Sequence, residues 1–146
     1  MIKFHSCFRN GAVLQRGTAF VVKGYSEGET KVTLSGDNYK KTVITVAKKG
    51  VFRAEFPPVN DIATHFLLSA ECGGEKVCSE VRFGDVFLTV GQSNMSYSLS
   101  ATENCERWLI MAKKSETAFL SVGEKPFNST EEITRSYDEL FDFPVE

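Results

Sequence analysis

Apolar and polar residues alternate in short runs over residues 19–25, 31–35, 39–46, 51–56, 65–72 and 75–83. The runs are rich in Val, Thr and Phe, which suit a pleated surface with one face covered. Turn chemistry separates them. Ser35-Gly36-Asp37-Asn38 and Gly73-Gly74-Glu75-Lys76 suit tight hairpins, as does Lys48-Lys49-Gly50. Pro57-Pro58 stops a strand, because proline has no N–H to give to a ladder. No helical period interrupts this part, which predicts an antiparallel β-sandwich, jelly-roll-like, over residues 1–84.

Past Gly84 the pattern changes. Val86-Phe87-Leu88-Thr89-Val90 is nearly continuous in apolar character, as expected of a strand covered on both faces in a parallel sheet. Ser100-Ala101-Thr102-Glu103 has the form of a capping box and predicts a helix to about Lys114. Trp108, Leu109, Met111 and Ala112 form the apolar side of that helix, which predicts that Trp108 packs rather than binds. A second strand follows over 117–122, and Ser129-Thr130-Glu131-Glu132 opens a second helix ending near Leu140. Residues 85–146 therefore read as the first β-α-β-α segment of an α/β domain. Two such units cannot cover a sheet on both sides, so the segment is expected to be incomplete, with an open edge that favours pairing with a second copy.

Composition narrows the function classes. A net charge of -2, with 25% charged residues, offers no basic stripe for nucleic acid. No apolar stretch approaches the roughly 20 residues of a membrane helix. The N-terminus, Met1-Ile2-Lys3-Phe4-His5, has no apolar signal core, which favours a cytoplasmic location. Cys7, Cys72, Cys78 and Cys105 contain no CxxC pair, and His5 and His65 are the only imidazoles, so neither a metal nor a cofactor is expected. The thiols read as reduced and buried, with a Cys72–Cys78 disulfide across the hairpin as the alternative.

Candidate chemistry sits just past the predicted buried strand, in Gly91-Gln92-Ser93-Asn94-Met95. Ligands of open α/β sheets bind at the carboxyl ends of strands. Gly91 permits a sharp turn there. If Ser93 begins a helical turn, its own N–H points toward whatever its Oγ attacks, so one residue serves as nucleophile and oxyanion donor. Residues 84–95 resemble the "GDVWLCSGQSNM" signature of the sialate O-acetylesterase family, within the SGNH hydrolases. Val13-Leu14-Gln15-Arg16-Gly17 is similar to that family's "MVLQR" segment and is followed by Val22-Lys23-Gly24-Tyr25 and Gly28-Glu29. Gly50-Val51-Phe52 and Phe56-Pro57-Pro58 are similar to its "G-x-W … L-P-P" stretch, so the resemblance runs over roughly residues 4–100.

The resemblance implies a β-domain joined to an SGNH hydrolase domain, with Ser93 as nucleophile and Gly91, Gln92 and Asn94 forming the loop that meets the substrate. It implies serine acyl transfer on an acetylated sugar such as sialic acid. It also implies a general-base histidine oriented by an aspartate three residues earlier, and two further oxyanion donors, a glycine and an asparagine, from later blocks. Here the chain departs from the pattern. His5 and His65 both fall in the β-domain, and Asp61 lies four residues before His65 rather than three. Asn94 belongs to the serine block and does not stand for the later asparagine. The expectation is a fragment that holds one corner of an esterase site and is inactive alone. The alternative is a non-catalytic β-sandwich that binds carbohydrate or supports a hydrolase domain. Of the remaining polar residues, Asp85 is expected to turn the chain between the two parts and Arg16 to pair with a carboxylate at their junction.

Overall fold

Strands form where alternation and turn chemistry agree. In the computed structural model, which describes residues 1–89, 91 and 97–114, the strands are β1 (Lys3–Phe4), β2 (Ala12–Gln15), β3 (Phe20–Tyr25), β4 (Glu29–Gly36), β5 (Tyr39–Val46), β6 (Val51–Phe56), β7 (Phe66–Cys72) and β8 (Glu75–Gly84). They make a three-stranded sheet, β1-β3-β6, and a five-stranded sheet, β2-β8-β7-β4-β5. The described residues fall into two compact units, one over Met1–Asp85 and the other within Val86–Phe119.

The two sheets share one core. Val22, Phe52, Ala54 and Phe56 come from one sheet, and Val32, Leu34, Phe66, Leu68, Val81 and Phe83 from the other. Phe20 of β3 stacks on Phe56 at 5.4 Å and meets Phe83 of β8 edge-on at 5.3 Å, so an aromatic cluster joins the sheets. Such pairs contribute beyond their buried area, about 0.5–1.5 kcal/mol each.

Pairing is antiparallel with one exception, which corrects the expectation of a fully antiparallel, jelly-roll-like sandwich. β2 runs parallel to β8, from Ala12↔Val81 to Gln15↔Gly84. Burial explains the register. Ala12 and Leu14 stand opposite the core residues Val81 and Phe83 and pack against the same core. A one-residue slip would turn both side chains to the other face of the sheet.

The β7–β8 hairpin settles the cysteines. Gly73 and Gly74 both have positive φ, 57° and 84°, as a two-residue hairpin turn requires. Cys72 therefore stands opposite Glu75, while Cys78 stands opposite Ser69. Ser69 and Cys72 are three positions apart, so Cys72 and Cys78 lie on opposite faces of the sheet. No disulfide links any of the four cysteines, but none is buried as expected: Cys78 is exposed and the others are half-buried. Denatured without reductant, the protein is expected to release four thiols to a thiol-specific reagent. Two missing thiols would contradict this register.

Two expectations change in the second unit. No strand forms over residues 86–89, where Phe87 and Leu88 are 82% and 85% exposed. A doubly covered strand needs neighbours at its edges and on its faces, and no described strand pairs with this run. The helix is also shorter than expected: α1 spans Cys105–Lys113, preceded by a 3-10 turn at Leu99–Ala101. The Ser100 hydroxyl lies 2.6 Å from that of Ser98, and the N-cap is Asn104 in the left-handed conformation, φ 59°. Competing local hydroxyl contacts take Ser100 away from capping. None of the helix residues is buried, and Trp108 is 45% exposed, so its expected packing is not seen among the described residues. The strand expected over 117–122 and the helix expected over 129–140 lie outside the described residues.

Candidate active site

Gly91 is described and exposed, whereas Gln92, Ser93 and Asn94 lie outside the described residues. The structure therefore frames the candidate nucleophile from both sides without showing it. On the C-terminal side, the Tyr97 hydroxyl donates to the Ala101 carbonyl at 3.2 Å, and the Thr102 hydroxyl donates to the Leu99 carbonyl at 2.7 Å. These bonds tie the chain after the serine loop to the 3-10 turn that precedes α1.

On the N-terminal side, two residues that the sequence suggests separately meet each other. Arg16 follows β2, Asp85 follows β8, and the parallel register brings the two strand ends level. Arg16 Nε donates to Asp85 Oδ1 at 2.9 Å and Nη2 donates to Oδ2 at 3.0 Å. The Arg16 main-chain N–H donates to the Gly84 carbonyl at 3.0 Å. The hydrogen bond from Arg16, and then its charge, hold the Asp85 carboxyl below the usual carboxylate range. The partner is missed in the sequence because β2 is missed, and no local signal marks β2, whose residues Ala12-Val13-Leu14-Gln15 do not alternate.

Both histidines of the sequence lie in the sandwich unit. His5 is buried in the sandwich unit, its main-chain N–H donates to the Lys23 carbonyl at 3.1 Å, and its ring Nδ1 lies 3.4 Å from Cys7 Sγ. His65 is exposed just before β7. Asp61 is committed elsewhere: it accepts the Thr64 hydroxyl and the N–H groups of Ala63 and Thr64. Those bonds, the hydroxyl foremost, hold its carboxyl below the ordinary range. Asp61 thus builds the turn into β7. Among the described residues no cluster of three or more His, Cys, Asp or Glu could hold a metal, and no helix is long and apolar enough to cross a membrane.

No protein-family model and no curated protein matches this chain. Among solved structures, the chain is similar to a carbohydrate acetylesterase from Xanthomonas citri, with 24% identity and a TM-score of 0.61. The match covers 75% of this chain and 25% of that one, so the chain spans about a quarter of the enzyme it matches. At this identity the likeness shows a shared fold.

Proposed function

We propose that this chain belongs to a carbohydrate esterase that removes O-acetyl groups from sialic acid or a related acetylated sugar, with Ser93 as its nucleophile. The observation that carries the reading is a convergence. Residues 84–95 resemble the serine block of an O-acetylesterase family, and the fold is similar to that of a carbohydrate acetylesterase. In this reading residues 1–84 are the β-domain and 85–146 are the opening of an SGNH hydrolase domain. Gly91, Gln92 and Asn94 line the serine loop.

Serine acyl transfer assigns the roles. A base takes the Ser93 proton, Oγ attacks the acetyl carbonyl, the sugar hydroxyl leaves, and water then releases acetate. The Ser93 N–H is one donor to the tetrahedral oxyanion. The 146 residues contain no Asp-x-x-His. The base, its aspartate and two more oxyanion donors are, in this reading, contributed by sequence outside these residues.

A second reading has an observation of its own. The two sheets of the sandwich unit bury a shared core of their own. That favours a non-catalytic module that binds carbohydrate or supports a hydrolase. A fluorophosphonate, which phosphonylates activated serines, separates the two. The complete protein is expected to carry the adduct on its Ser93 peptide. Turnover of an acetyl ester with an unmodified Ser93 would remove the nucleophile assignment, and an unreactive, inactive protein would favour the binding module.

A further inference from the structure

We propose that Cys7 is a nucleophilic thiol with His5 as its base, a modification site for hydrogen peroxide and other small soft electrophiles. The pair lies in the sandwich unit, and the inference does not depend on the esterase reading. Local structure brings the two side chains together. His5 continues the β1 ladder: its backbone is extended, and its main-chain N–H donates to the Lys23 carbonyl at 3.1 Å. The chain then folds into a 3-10 turn over Ser6–Phe8, closed by the Phe8 N–H on the His5 carbonyl at 2.9 Å. Phe8 anchors that turn in the core, and Cys7 Sγ comes to 3.4 Å from the His5 ring Nδ1. The ring itself is held in place. His5 is only 5% exposed, and its ring stacks on Tyr25 at 6.5 Å with 22° between the planes. On Tyr25 in turn lies Lys3, with Nζ 4.7 Å from the ring centroid. Cys7 is half-buried, so its sulfur meets a fixed imidazole and still lies within reach of a small reagent.

The thiolate is the reactive form of cysteine, and an adjacent histidine favours it. With its own proton on Nε2, His5 takes the thiol proton at Nδ1. A buried imidazolium is costly alone, and the thiolate beside it supplies the counter-charge. The sulfur lone pair then attacks one oxygen of hydrogen peroxide: the S–O bond forms and the O–O bond breaks. The departing hydroxide takes the proton back from the imidazolium and leaves as water. Sulfur is oxidised by two electrons to the sulfenic acid, the peroxide is reduced, and His5 returns to its neutral form. An ordinary thiol is only a few per cent thiolate at pH 7, so full ionisation multiplies the reactive fraction about thirtyfold. The weaker nucleophilicity of a more acidic thiol takes back part of that, which leaves about tenfold.

The test is a brief pulse of iodoacetamide on the complete, folded protein at pH 7, with each cysteine peptide followed by mass spectrometry. Cys78 is the internal standard, because it is exposed where Cys7 is half-buried. Cys7 is expected to react about tenfold faster than Cys78, against the order that access alone would set. In urea the two rates should come within about twofold of each other. His5→Gln is expected to slow Cys7 about tenfold and to leave Cys78 within about twofold. Hydrogen peroxide followed by dimedone, which captures sulfenic acids, should label Cys7 in the unmodified protein and not in His5→Gln. If Cys78 reacts as fast as Cys7 in the folded protein, or if a folded His5→Gln keeps the fast Cys7, the inference falls. Fast alkylation of Cys7 without a dimedone adduct would overturn its assignment as a peroxide site. Should His5→Gln fail to fold, the ratio of Cys7 to Cys78 in the unmodified protein, folded against unfolded, decides alone.

Discussion

Ser93→Ala is expected to reduce aryl acetate hydrolysis by the complete protein about a thousandfold or more, to near the uncatalysed rate. The size follows from the role. A residue that forms the covalent acyl intermediate has no substitute, and removing such a nucleophile costs about as much as removing the whole catalytic set. Thermal unfolding should not change, because the substitution removes one hydroxyl and alters none of the side chains that join the two sheets. The same logic predicts that these 146 residues, expressed alone, are essentially inactive on the same ester. A serine hydroxyl is a weak nucleophile until a base activates it. His5 is buried in the sandwich unit, and Asp61 is bonded to Ala63 and Thr64 instead of orienting His65. Appreciable turnover by the 146 residues alone would reveal a base that the present assignment misses. Full activity in Ser93→Ala would place the nucleophile elsewhere.

The sandwich is legible in the sequence wherever its information is local. Alternation bounded by turns gives β5 at 39–46 and β6 at 51–56 to the residue, and the other four expected strands within two residues. What fails is non-local. Ala12-Val13-Leu14-Gln15 is half-buried at every position and shows no alternation to read. Only the edge of β8, which lies far along the chain, makes it a strand. With β2 missed, Arg16 and Asp85 remain two isolated polar residues instead of a pair. The run Val86-Phe87-Leu88 fails for a related reason. Its composition specifies that both faces want cover, but cover is supplied by other segments, and the described residues leave Phe87 and Leu88 exposed. The α1 cap fails locally, because the Ser98 and Ser100 hydroxyls find each other. Ser93 itself is legible through resemblance alone, since a small polar loop after an apolar run has many ordinary explanations.

The largest stability effect is expected at Phe52, where Phe52→Ala should cost about 3–5 kcal/mol in urea unfolding. That is a large part of the roughly 5–15 kcal/mol that hold a domain folded. Phe52 is fully buried and stands opposite Gly24 in the β3–β6 ladder, with the Phe4 ring edge-on at 6.3 Å. Its ring occupies the space that a side chain at position 24 would fill. A Cβ added there would meet the Phe52 ring at 2.4 and 2.5 Å and the Lys3 carbonyl oxygen at 2.4 Å. Gly24→Ala is therefore expected to destabilise too, by about 1–3 kcal/mol, since neither the packed ring nor the β1 backbone can yield without loss. The two costs should not add. Once the ring is gone, two of the three nearest contacts vanish and the Lys3 carbonyl still opposes a methyl group at position 24. The double variant should then be more stable than the sum of the single effects implies, by about 0.5–3 kcal/mol, the range found for residues in contact. Strict additivity would mean that β3 and β6 relax apart around the new methyl group, and that the Gly24–Phe52 fit is not what fixes the spacing of this sheet.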